Sequence, residues 1–163
     1  MAATVKIYEC SASQNGTDKT SGVVRFKLAD NANVDTNDPI TIPSTGTTKS
    51  YTKQLRLYCA TAPDTQIDNI RAYSDGSNDF GTGISVNASV VSDFSANTME
   101  WSGGSDIFGF TSAAPLDMDQ FHTSVVTATG FFGDLLKLQM QVASTANSGA
   151  LSAETLTFSW DEI

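Results

Sequence analysis

Along much of this chain apolar and polar side chains trade places at every residue. Val5, Ile7 and Glu9 fall on one side of the run from Thr4 to Cys10, and Val24, Phe26 and Leu28 share a side with Arg25 and Lys27 opposite. Leu55-Arg56-Leu57-Tyr58-Cys59, Ile67 to Tyr73 and Ile84 to Val90 repeat the pattern. So do Leu136 to Val142 and Leu156-Thr157-Phe158-Ser159-Trp160-Asp161. A period of two belongs to a strand with one dry and one wet face, so these runs predict half-buried strands with Lys137, Gln139 and Gln141 toward solvent and Leu156, Phe158 and Trp160 in the core.

Turn formers stand between the runs: Asn15-Gly16, Asp38-Pro39, Pro43 to Gly46, Pro63-Asp64, Asp75-Gly76, Gly81 to Gly83, Gly103-Gly104 and Ser148-Gly149. They divide the chain into eight to ten strands. Parallel strands buried on both faces would read as unbroken apolar runs, so this alternation predicts antiparallel pairing. The expected fold is all-β, a single sandwich domain over residues 1–163 of Greek-key or jelly-roll type.

Asp93 to Phe121 breaks the rule. It lacks alternation yet carries Phe94, Met99, Trp101, Ile107, Phe108, Phe110, Leu116, Met118 and Phe121 among glycines and prolines. A long segment without regular structure is uncommon in a compact domain, and this one is too apolar to stay unfolded. Two fates are open to it: a lid that plugs the end of its own sandwich, or an arm that packs on another subunit. In the second case Trp101, Phe108 and Phe110 anchor the contact, with Met118 and Phe121 beside them, because large aromatics dominate protein interfaces.

Composition narrows the chemistry. Nine Lys and Arg face 18 Asp and Glu, a net charge of -9, which gives nothing to neutralise phosphates, so nucleic acid is not an expected partner. No basic leader with an apolar core opens the sequence and no membrane-length apolar span follows, so a protein made in the cytoplasm without a signal peptide and without a membrane partner is expected. In that setting Cys10 and Cys59 read as buried free thiols.

Catalytic arrangements are not found. His122 is the sole histidine, no nucleophile elbow precedes it, and two cysteines with one histidine do not make a zinc site. The expectation is a non-enzyme with no catalytic residues, no cofactor and no metal. Asn31 to Asp38 and Asp75 to Asp79 are rich in oxygen ligands, as calcium loops are. The first, however, lacks the turn glycine and ends at Ile42 where a bidentate Glu is needed, and turn chemistry explains both.

The segment Leu136 to Val142, the Ser/Thr/Asn-rich link 143–150 and the ending Thr155 to Ile163 together resemble the last hairpin of small β-sandwich virion proteins of tailed bacteriophages. Leu55 to Tyr58, leading through Ala62-Pro63-Asp64 to Asn69 to Gly76, is similar to the same proteins. The resemblance implies a structural protein of the virion, assembled in the host cytoplasm: a head decoration or cement protein that binds the major capsid protein or other virion proteins. It also implies a homo-oligomer, with a trimer suggested by the threefold positions decoration proteins often occupy. A tail or neck component is one alternative. A carbohydrate-binding or adhesin-like module is another, and that module would show a row of aromatic side chains on the polar face of one sheet.

Overall fold

The computed structural model describes residues 2–11, 16–122 and 125–163, which leaves Asn15 of the first expected turn outside the described residues. Among the described residues ten strands follow one another: β1 (Thr4–Cys10), β2 (Thr17–Asp18), β3 (Thr47–Lys49), β4 (Lys53–Thr61), β5 (Ile67–Tyr73), β6 (Ile84–Val91), β7 (Ser105–Asp106), β8 (Leu116–Asp117), β9 (Gly130–Ala143) and β10 (Thr157–Glu162). A 3-10 turn, Ile107–Gly109, interrupts them. Seven strands form a large sheet in the order β2-β1-β4-β9-β6-β7, with β3 also on β9, and three form a small sheet in the order β10-β5-β8. Every pairing is antiparallel, and the two sheets make the expected all-β, sandwich-like fold.

Register explains the core. Val86, Ala88 and Val90 oppose Met140, Leu138 and Leu136 across β6 and β9, and Leu55 and Leu57 oppose Leu136 and Phe132 across β4 and β9. Directly opposed residues point to the same side of a sheet. All of these are buried, against Ile67, Ile70 and Ala72 of β5 from the facing sheet. Burial of each such Leu, Ile or Val contributes roughly 1.5–3 kcal/mol. Leu156, just before the outer strand of the small sheet, and Phe158 and Trp160 on it pack on this cluster and are half-buried, rather than fully enclosed.

Three expectations are corrected. First, β9 and β10 are not a hairpin. β9 is flanked by β4 and β6, with β3 alongside, so residues 144–156 carry the chain across to the small sheet, where β10 pairs with β5.

Second, Val24 to Leu28 forms no strand and belongs to no sheet. Its backbone makes isolated bonds, Tyr51 N–H to the Lys27 carbonyl at 3.1 Å and Leu28 N–H to the Asp38 carbonyl at 2.8 Å. Val24 and Phe26 do pack on the core, but Lys27, expected in solvent, is 1% exposed. The loop that follows is wrapped around ammonium groups. Lys27 donates to Asn31 Oδ1 and Asp35 Oδ1, Lys53 to the Asn31 carbonyl, Lys19 to the Ala32 carbonyl, and Arg25 to the carbonyls of Val34 and Asp35. Of the side-chain oxygens that resemble a calcium loop in sequence, those of Asn31 and Asp35 accept from Lys27 and also from the Asn33 and Asn37 N–H groups, the turn chemistry expected there.

Third, the polar face of the large sheet is not open along its length: Lys137 is 7% and Gln139 0% exposed.

Candidate interaction surface

What covers those polar side chains is the first half of the irregular segment. Gln54 donates to the Ser95 carbonyl (2.6 Å) and to Asn97 Oδ1 (2.8 Å), while Asn97 donates to the Cys10 carbonyl and to Asp30 Oδ1. Gln139 Nε2 reaches the carbonyls of Ser50, Thr98 and Met99. Lys49 donates to the Trp101 carbonyl, and Lys137 donates to Ser95 Oγ with its ammonium 5.6 Å from the centre of the Trp101 ring. Gly104 lets the strap lie against β6, since a Cβ there would stand 2.4 Å from the Ala88 carbonyl oxygen. Sequence alternation shows the polar residues but not the segment that caps them.

The second half stitches the two sheets together. β7 pairs with β6, and Ser74 of the small-sheet side donates to the carbonyls of Ile107 and Phe110. β8 pairs with β5, and Met118 then bridges the sheets: its N–H donates to the Ile70 carbonyl and its carbonyl accepts from Asp134 N–H. Asp134, 1% exposed, holds the end of the segment. Its carboxylate accepts the N–H groups of Phe121 and His122, and His122 Nδ1 lies 2.8 Å from Asp134 Oδ1. Nearby Asp119 accepts the Ile70 N–H with Oδ2, while its buried Oδ1 has no partner. Burial pushes its carboxyl above the usual carboxylate range, the Ile70 bond opposes this, and Asp117, Asp134 and Asp68 push it further up.

The five residues singled out as contacts therefore part company. Trp101 is half-buried over Lys137, Phe108 and Phe110 are half-buried on the core with Phe108 edge-on to Phe80, and Met118 is 1% exposed inside the chain's own core. Phe121 is 59% exposed, and so, at 58%, is Val125.

Register also assembles a group that the sequence only hints at. Tyr8 opposes Arg56 across β1 and β4, and Tyr58 opposes Phe131 across β4 and β9, all on the face away from the core. The three rings pack edge to face, with centroids 5.0 Å apart for Tyr58–Phe131, 5.4 Å for Tyr8–Phe131 and 5.7 Å for Tyr8–Tyr58. The Arg56 guanidinium carbon lies 5.5 Å from the Phe131 ring centre. Arg56 sits across from a bulge: Leu55 opposes Leu136 but Leu57 opposes Phe132, so β9 spends extra residues there. Gly133, at φ 65°, turns that bulge, and a Cβ on it would press Ile70 Cδ1 at 3.2 Å. A shallow groove of about 470 Å³ runs on from Arg56 and Phe131 along Thr127 to Gly130 to His122 and Val125.

Among the described residues, no three His, Cys, Asp or Glu side chains gather as a metal site, and no helix is long and apolar enough to cross a membrane. No protein-family model, curated protein or solved structure matches this chain.

Proposed function

We propose that this protein is a non-enzymatic structural component of a tailed-phage virion, most specifically a capsid decoration or cement protein that attaches to the head lattice and to its own copies through protein–protein contacts. The resemblance of its strand sequences supports the virion setting. The observation that carries the binding role is the Tyr8–Tyr58–Phe131 cluster with Arg56, continued along the groove to exposed Val125. Tyrosine, phenylalanine and arginine on one rigid sheet face are the side chains that concentrate binding energy at interfaces. A tail or neck position would use the same surface.

The aromatic cluster also favours a second reading, since a sugar-binding module displays aromatics on a sheet's polar face. Its geometry argues for protein. The rings stand edge to face at interplanar angles of 62° to 79° and so form a compact, non-planar cluster, whereas a sugar platform lays its rings side by side in one flat row. Particles lacking this protein, mixed with purified chain and sedimented, test the reading. Wild-type chain co-sediments and Tyr58→Ala does not; binding to a glycan array without binding to particles contradicts it.

A further inference from the structure

Arg56 stands apart from every other cation in the chain. Of nine Lys and Arg side chains, the other eight each have an oxygen partner among the described residues. Arg56 has none, and its Nε is buried without a hydrogen bond. A buried donor left unmade is costly, and a guanidinium presents five donors in a fixed fork that a carboxylate fits in two parallel bonds. Beside it the groove wall offers main chain: Thr127, Ala128 and Thr129 are exposed and make no backbone hydrogen bond among the described residues.

Resting on the protein-binding role proposed above, we infer that Arg56 and the groove from Phe131 to Val125 form a receptor for an acidic peptide segment of a partner protein, with one Asp or Glu carboxylate on the guanidinium and an apolar neighbour against Phe131 and Val125. A single cation suits a singly charged carboxylate. A phosphate or a nucleic-acid backbone calls for several basic groups, and here the next cation on this face, Lys6, is already bonded to Asp18. The partner's backbone finds free donors and acceptors on Thr127 to Thr129, a means of recognition that an acidic sugar would leave unused. The chain's own negative charge does not forbid the pairing, because at physiological ionic strength charges beyond about 8 Å are largely screened.

The test is an NMR titration of the full chain with a blocked pentapeptide carrying Glu between two Leu residues, and with its Gln counterpart, read at the Arg56 Nε–H signal and the Phe131 ring. The Glu peptide shifts both signals saturably. The Gln peptide, or the Glu peptide with Arg56→Gln, binds about tenfold or more weakly, as expected for loss of one charge-assisted pair. Arg56→Gln stays folded, with a melting temperature within a few degrees of wild type, since it breaks no hydrogen bond and gives up only the contact with the Phe131 ring. Equal binding of the two peptides overturns the inference, as does binding of a glucuronate oligosaccharide in place of the peptide. Absence of peptide binding with particle binding intact overturns this inference alone; absence of both overturns the reading on which it rests.

Discussion

Glu9 and Lys53 meet at 2.8 Å on the core-facing side of β1 and β4, each with a side chain only 1% exposed. Lys19 stands 3.6 Å from the other carboxylate oxygen, Glu9 Oε2, which has no hydrogen bond of its own. Removing one member of a buried pair strands the other, whereas replacing both with apolar groups does not. Lys53→Met is therefore expected to cost about 3–5 kcal/mol in denaturant unfolding, and Glu9→Leu with Lys53→Met markedly less. A double variant no more stable than the worse single one would show that the pair is not the dominant interaction there.

The strap gives a second expectation. Trp101 covers Lys137 and leads into Gly103-Gly104, which lie against the ring and β6. Trp101→Ala should lower the melting temperature of the isolated chain by several degrees, the effect of about 1–3 kcal/mol in a domain of this size. An unchanged melting temperature with loss of self-association would instead mark Trp101 as a contact with another copy.

Asp119 predicts a pH dependence. Its folded carboxyl is raised, chiefly by burial, so the folded state holds the proton more tightly than the unfolded state. The stability this contributes is complete below the ordinary carboxylate pKa of about 3.9 and is lost as pH rises through the raised value. Asp119→Asn, which still accepts the Ile70 N–H, should be more stable than wild type at pH 7, and the two melting curves should converge below about pH 4. A deficit in the variant that is the same at every pH would contradict this.

Cys10 and Cys59 lie at opposite ends of one ladder, Cys10 opposite Gln54 and Cys59 opposite Val5. Five residues of strand separate them by about 17 Å, far beyond disulfide reach. Burial pushes the Cys10 thiol up to about 11, and the Cys59 thiol is raised by burial as well. A thiol reagent should count two groups after denaturation and react slowly with the native protein at pH 8. Finding none without reductant would require a different pairing of β1 and β4.

Alternation makes β1, β4, β5, β6 and β9 legible because each has one face on the core. It misleads at Val24 to Leu28, where a segment outside any strand alternates and its lysine is buried against the side-chain oxygens of Asn31 and Asp35. It is silent on what covers a polar face, so Gln139 reads as solvent-facing although the carbonyls of Thr98 and Met99 enclose it. The aromatic site is the least legible part. Tyr8, Tyr58 and Phe131 come from three strands far apart in the chain, and only register across β1, β4 and β9 brings them together.

Whether this chain is a building part of a particle is tested most directly by quantitative mass spectrometry of virions purified from its source. The account predicts this protein in a fixed ratio to the major capsid protein, at hundreds of copies per particle if it decorates the head. Its absence from washed, infectious particles would contradict the account.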